Sequence, residues 1–446
     1  MERLARLPGP LLAAFVVAVS AACSQDANIA SPQASQPDGG AAAEVTPSQD
    51  PPRPHRAFPD TSATIAILAD QLPGGLTAAQ QRVVADRFVG TQKLTLDQSR
   101  PLRALKPGFL VLHYHLAIWQ SAPGVSFIVD GRTWGNDYRE VDKHEAWFWH
   151  NANGQRVASS VDKKLLMNVG DAAFTKYWGD SLVEQVRSGD YDGVFADSAS
   201  PALLQWEANA PPEPRLSGTG ARDNKFAELQ GRTFIEAWQS FMTSLDAALA
   251  ARGVPLIPNT GSFVTGWDPT RYDLTAGVFV EGFADPGFTE RDWKASTNRL
   301  LSLADQGKII ILQNYLRSTN DLERRRYYLA NYLLVKANRT YLEYFAKSPL
   351  EWYPEWGLDL GRALSTGKTV ADLAQGGVYG RDFARGMAIV NPSGAPVTVT
   401  LASPMKRVEP VGGGAVDANG ALSGAVHSVI VGSIVVPAHG AEVLLK

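Results

Sequence analysis

Cysteine is almost absent from this chain: Cys23 is the only one in 446 residues, so no disulfide can form within it. An excess of either charge is also lacking, with 42 Lys and Arg against 45 Asp and Glu and a formal net charge of -3. That balance excludes the strongly basic surface a nucleic-acid partner would need. Histidine is sparse at seven residues. His113 and His115 form a His-x-His pair, a spacing that can ligate zinc, yet none of the other histidines falls on a later predicted strand. No metal is therefore expected. No Gly-rich phosphate loop follows the first predicted strand, which speaks against an open doubly wound sheet, the rival to a barrel; no cofactor is expected either.

Long apolar runs are missing too. The one at the N-terminus spans only Leu11 to Val19, preceded by Arg3 and Arg6 and followed by Ser20-Ala21-Ala22. It is shorter than the roughly 20 residues that a permanent bilayer span requires. Residues 1–22 read as an export signal peptide. Ala21-Ala22-Cys23 resembles a bacterial lipoprotein signal, which implies lipidation at Cys23, the only membrane link expected. Ser20 stands where such signals prefer Leu, and simple cleavage near Ala22 gives the other reading, a periplasmic or secreted protein. Residues 23–61, rich in Ala, Pro, Ser, Gln and Asp, bury too little apolar surface to fold and read as a disordered tether.

From residue 64 the pattern changes to short apolar strands alternating with amphipathic helices. Eight strands are expected at 64–68, 88–93, 109–115, 193–197, 255–259, 277–281, 308–314 and 340–345. Runs such as Ile309-Ile310-Ile311-Leu312 suit strands buried on both faces. The fold class is α/β, and the alternation predicts a (β/α)8 barrel over residues 62–352. Asp171 and Thr289 are expected to cap helices, and Asn320 with Glu323 to form a capping box. Residues 376–446, with Gly- and Pro-rich turns between alternating strands, read as a small antiparallel β-sandwich domain.

One short pattern occurs twice: Gly193-Val194-Phe195-Ala196-Asp197 and Gly277-Val278-Phe279-Val280-Glu281. Alternation puts Phe195 with Asp197, and Phe279 with Glu281, on one strand face each. Both acids end their strands, where barrel enzymes build their sites. Two carboxylates facing across a sugar supply what glycosidic cleavage needs, one to protonate the leaving oxygen and one to attack or to activate water. A structural role, capping the next helix or holding a backbone amide, is the rival reading for either acid. Asn259 follows strand five, between the two in sequence, and is expected to hold a substrate hydroxyl or orient Glu281. His115, Trp147, Trp149, Asn314 and Tyr344 complete the candidate substrate contacts. The first lies at the end of strand three, the tryptophans in the long excursion after it, and the last two at strands seven and eight; Gln313 and Glu343 are their neighbours in the same role. The aromatic excursion suggests an open cleft and endo action.

The segments Lys164-Leu165-Leu166-Met167-Asn168-Val169-Gly170-Asp171, Tyr191-Asp192-Gly193-Val194-Phe195-Ala196-Asp197-Ser198 and Val280-Glu281-Gly282-Phe283 resemble the hypothetical glycoside-hydrolase-like TIM-barrel proteins numbered fifteen in that series. Tyr379-Gly380-Arg381-Asp382-Phe383, with the stretch from Gly386 to Pro392, is similar to their short β-domain. The resemblance covers about residues 60–446. It implies the barrel and the hydrolase class, hence a polysaccharide or oligosaccharide partner, and names no substrate. By analogy with retaining glycosidases of the same strand placement, Asp197 would be the nucleophile and Glu281 the acid/base; Glu281 stands where those families have Asp, so the two roles stay open. A non-catalytic glycan-binding envelope lipoprotein on a degenerate barrel is the alternative, since fold alone does not establish catalysis.

Overall fold

The computed structural model describes residues 55–446 apart from 122–127, 130–131, 134, 152, 161–162, 188, 202–203, 205–233, 263–269, 348–349 and 366. The signal segment, Cys23 and most of the expected tether lie outside the described residues.

Strands and helices alternate as β1 (Ile67–Ala69), α1 (Ala78–Arg87), β2 (Phe88–Gln92), α2 (Leu96–Leu105), β3 (Leu110–Leu116), α3 (Ala172–Val186), β4 (Gly193–Asp197), α4 (Phe234–Ala250), β5 (Leu256–Pro258), β6 (Gly277–Glu281), α5 (Glu290–Asp305), β7 (Ile309–Tyr315), α6 (Leu322–Val335) and β8 (Thr340–Phe345). After β5 the described residues hold only a 3-10 turn, Tyr272–Leu274, before β6 begins. The strands are parallel in the order β6-β7-β8-β1-β2-β3-β4-β5. A single bridge between Asn259 and Phe279 joins β5 to β6, with the Thr260 N–H donating to the Phe279 carbonyl at 2.9 Å. The ring is thereby closed, as the alternation predicted. Gly277 lets β6 approach β7: a Cβ there would sit 2.6 Å from the Ile309 carbonyl oxygen.

Parity along the strands separates two cores. Leu68, Leu112, Phe195, Ile257, Phe279, Ile311 and Tyr341 fill the barrel interior. The alternate positions, among them Ile67, Val111, Val194, Val278, Ile310 and Leu342, face the helices. Asp171 and Thr289 cap α3 and α5 as expected, accepting the Phe174 and Asp292 N–H groups at 2.9 and 3.2 Å. The cap of α6 falls one residue later than the capping box implied, on Asp321, whose carboxylate accepts the Arg324 N–H at 3.3 Å.

Residues 55–61 correct the expected tether. They pack on the end of the barrel opposite the strand C-termini. The His55 ring donates to the Tyr191 carbonyl at 2.6 Å, and Arg56 N–H to Asp192 at 2.9 Å. The Thr61 hydroxyl donates to the Ala337 carbonyl at 3.0 Å. These contacts are polar, so a reading based on apolar content misses them. Asp192 is buried there, also bound to Arg103 at 2.8 Å and accepting the Val111 N–H at 2.9 Å.

Beyond the barrel, β9 (Ala374–Gln375), β10 (Val378–Phe383), β11 (Gly386–Asn391), β12 (Val397–Val411), β13 (Ala425–Val436) and β14 (Gly440–Leu445) form one antiparallel sheet in the order β9-β10-β11-β14-β12-β13. Ala388, Val390, Val408, Ala441 and Val443 join the main core, where β11 and β14 meet α6. The other face gathers Met387, Ile389, Ile434, Val436 and Leu444 into a core of its own. β12 carries a register shift between Thr400 and Met405, and both faces of the sheet bury side chains. Among the described residues no helix is long and apolar enough to cross a membrane.

Candidate active site

The repeated pentapeptide brings its two acids together. Asp197 ends β4 and Glu281 ends β6, both on interior parity, and beneath them Phe195 and Phe279 meet edge-to-face at 4.9 Å. The chain turns sharply after each acid: Ser198 and Gly282 both have positive φ, 51° and 75°. A left-handed serine is uncommon, and such residues cluster at functional sites.

Between the acids stands Asn259. Its side-chain nitrogen donates to Asp197 Oδ1 at 2.9 Å and to Glu281 Oε2 at 2.8 Å. Its oxygen accepts the Gly261 N–H at 2.9 Å, which fixes the orientation of the amide. By the triangle inequality the two carboxylate oxygens are at most 5.7 Å apart. Each acid also takes a tyrosine. Tyr114 on β3 donates to Asp197 Oδ2 at 2.6 Å, and Tyr315 on β7 donates to Glu281 Oε1 at 2.6 Å.

Asp197 and Glu281 are 1% and 2% exposed. Burial, and then the neighbouring Asp197 charge, push the Glu281 carboxyl up to about 7, against the lowering effect of Tyr315 and Asn259. The position of its proton follows from the partners. Oε2 faces an amide that can only donate, so the proton of neutral Glu281 belongs on Oε1, with the Tyr315 hydroxyl turned to accept.

The same mouth carries polar groups from other strands. Asp70 follows β1, Lys93 follows β2, and Glu343 lies on β8; the Lys93 ammonium pairs with Asp70 at 3.0 Å. The Asp70 N–H donates to Glu343 at 2.6 Å, and Gln92 donates to the Asp70 carboxylate. Burial and the Asp70 charge hold the Glu343 carboxyl well above the usual carboxylate range. Lys93 lies 5.6 Å from the Tyr114 ring centroid, which links this group to the acid pair.

Five expected substrate contacts are placed elsewhere. His115 faces the helices: its ring lies 4.9 Å from that of Trp178, its Nδ1 bonds the Leu116 carbonyl at 2.8 Å, and burial drives its pKa down to about 4. Trp147 packs on Tyr177 and Phe174 of α3, and Trp149 is fully buried against Phe234 of α4. An excursion of that length needs its own apolar contacts, and these tryptophans supply them, which removes the sequence argument for an aromatic cleft. Asn314 and Tyr344 have the outward parity. Asn314 donates to the Phe283 carbonyl at 2.7 Å and Tyr344 to Glu355 at 2.7 Å. Their neighbours Gln313 and Glu343 are the inward-facing pair. Sequence reading missed Asp70, Lys93, Tyr114 and Tyr315. Parity from Asp197 and Glu281 through the strand register would have found the two tyrosines; no local pattern marks Asp70 or Lys93. The second long stretch, from Gln205 to Gly231, and Trp134 lie outside the described residues.

A closed (β/α)8 barrel with paired buried acids at the strand C-termini and a β-domain behind it has the build of a glycoside hydrolase. The profile of hypothetical glycosyl hydrolase family 15 matches residues 103–387, and the chain belongs to that family. No curated protein matches. Solved structures similar to it include a noncanonic maltogenic α-amylase from Thermotoga neapolitana, at 12% identity and TM-score 0.40 over 85% of this chain and 99% of that one. An α-L-fucosidase isoenzyme from Paenibacillus thiaminolyticus matches at 13% identity and TM-score 0.37, over 64% and 46%. A cycloalternan-degrading enzyme from Trueperella pyogenes matches at 10% and 0.42, over 85% and 62%. The chain thus spans less than two thirds of the latter two, and likeness at these levels bears on no substrate.

Proposed function

We propose that the chain is an exported glycoside hydrolase that cleaves a polysaccharide or oligosaccharide by a retaining, two-carboxylate mechanism, with Asp197 as nucleophile and Glu281 as acid/base. The observation that carries this reading is the pair of carboxylates bridged by one amide, with the Glu281 carboxyl pushed up to about 7. Oxygens no more than 5.7 Å apart favour retention, whose carboxyl groups stand about 5–5.5 Å apart, over inversion at about 6.5–9.5 Å. In the first step Glu281 gives its Oε1 proton to the glycosidic oxygen, the bond from that oxygen to the anomeric carbon breaks, and an Asp197 oxygen attacks that carbon. In the second, the Glu281 carboxylate takes a proton from water, the water oxygen bonds to the anomeric carbon, and Asp197 is released. Tyr114 and Asn259 hold Asp197 in place for the attack.

The test is hydrolysis of a polysaccharide panel by the chain and by Asp197→Asn and Glu281→Gln. Both variants are expected to stay folded and to lose all activity, and product released first in the substrate's own anomeric form marks retention. Activity surviving either substitution removes the assignment. The near-complete burial of both acids favours a second reading, a barrel that binds glycan without cleaving it; binding with no hydrolysis anywhere in the panel selects it. Export with lipidation at Cys23 is a separate proposal, refuted if radiolabelled palmitate is not incorporated into the chain expressed in a bacterial host.

A further inference from the structure

Gln313 lies in register between Glu281 and Glu343 across β6, β7 and β8. It continues the interior parity of Ile309 and Ile311, so its side chain enters the barrel mouth between those two acids. It is 1% exposed, and neither its amide oxygen nor its amide nitrogen has a hydrogen-bond partner among the described residues. A buried amide with both ends unpaired opposes folding, so its presence calls for a reason outside the folded chain itself. The surrounding acids are, by contrast, engaged: Asp70 by Lys93 and Gln92, Glu343 by the Asp70 N–H, Glu281 by Tyr315 and Asn259.

We propose that Gln313 is the specificity-determining residue of the site and reads two adjacent hydroxyls of a neutral pyranose seated over Asp197 and Glu281. Its carbonyl accepts from one hydroxyl and its NH2 donates to the next, which is the pattern that a primary amide offers a vicinal diol. The inference rests on the catalytic reading above. Neutrality follows from the charges at the mouth. Asp70, Asp197, Glu281 and Glu343 bring four carboxyl groups to the mouth; the Lys93 ammonium is held by Asp70 at 3.0 Å, and burial with the Asp197 and Asp70 charges already pushes the Glu281 and Glu343 carboxyls up. The carboxylate of a uronic acid would add a further negative charge to this desolvated pocket, where Lys93 is already paired with Asp70.

The experiment compares the unsubstituted chain with Gln313→Leu, a substitution of similar volume that cannot hydrogen-bond. Probes are neutral cello-, malto-, xylo- and mannotetraose beside tetragalacturonate, followed by saturation-transfer NMR, calorimetry and hydrolysis rate. The thermal midpoint of the free protein should hold or rise in Gln313→Leu, because an unpaired amide has gone. Affinity or kcat/KM for the preferred neutral probe should fall about 10- to 100-fold, the loss expected for two hydrogen bonds. A purely structural Gln313 would do the reverse, lowering the midpoint and leaving binding intact, and that result overturns the inference. Equal binding of tetragalacturonate and the neutral probes overturns its neutral-sugar half. Unchanged kcat/KM in Gln313→Leu, alongside lost hydrolysis in Asp197→Asn and Glu281→Gln, sinks this inference alone. An unsubstituted chain that neither binds nor cleaves any probe sinks the catalytic reading with it.

Discussion

Glu281→Gln should silence the protein and, above neutral pH, stabilise it. The Glu281 carboxyl is raised from 4.5 to about 7 in the folded chain, first by burial and then by the charge of Asp197. At about 1.36 kcal/mol per unit, that displacement corresponds to about 3 kcal/mol. Its sign follows from proton counts. Between about pH 4.5 and pH 7 the folded chain keeps a proton that the unfolded chain has lost, so folding stability falls as pH rises. The contribution is fully present below about 4.5 and gone above about 7. Glutamine does not titrate, and it can keep both partners, offering its oxygen to Asn259 and its NH2 to the Tyr315 hydroxyl. Urea unfolding of both proteins from about pH 4.5 to about pH 8 measures the difference directly, and titrating groups remote from the acid pair cancel in the comparison. The variant should gain about 3 kcal/mol on the unsubstituted chain over that range. A difference that stays constant with pH, or one that favours the unsubstituted chain at about pH 8, would refute both the raised carboxyl and its cause.

Tyr315→Phe removes a donor that favours ionised Glu281, so the basic limb of the kcat/KM profile should move above about 7; a limb that moves down contradicts the arrangement. Trp149→Ala should cost about 3–5 kcal/mol of stability and leave KM unchanged, since the indole is fully buried against Phe234 in the excursion's core. Arg325→Leu strands the buried Glu355, which it now holds at 2.8 and 2.6 Å, and should cost about 3–5 kcal/mol by thermal unfolding. Because Arg325 also donates to the Gly412 carbonyl at 2.7 Å, that loss should loosen the β12–β13 turn from α6, seen as faster hydrogen exchange around Gly412.

The barrel was legible because its signal is redundant. Eight apolar runs, helical spacing and caps such as Asp171 and Thr289 all point the same way, and the strands fall within a few residues of their expected positions. The acid pair was legible because a pentapeptide recurs, and position along a strand decides which end of a barrel a residue occupies. Which face it occupies was harder to read. In β7, Ile309-Ile310-Ile311-Leu312 is apolar at every position, so hydrophobicity could not say whether Gln313 or Asn314 points inward, and the same ambiguity on β8 set Tyr344 in place of Glu343. The strand register resolves it, since Glu281, Gln313 and Glu343 are aligned neighbours. On β3 the two histidines drew attention to the outward positions, while Tyr114 between them holds the inward one.

Closure of the ring and juxtaposition of the acids depend on the same short stretch of chain. Among the described residues β5 and β6 share only the bridge at Asn259, and β1 and β8 only the pair Ile67–Leu342, where β6, β7 and β8 share longer ladders. Two carboxylates held this close repel, and the repulsion would tend to open that seam if both were ionised. Two features oppose it. The Asn259 amide donates to both acids from within the seam, and the raised Glu281 carboxyl keeps its proton up to about pH 7. The protonation state that would suit an acid catalyst is therefore also the one that helps keep the barrel shut at one of its two sparsest seams. On this argument Glu281 keeps its proton first because it is buried and then because Asp197 stands beside it, and acid catalysis would draw on a proton the structure already favours.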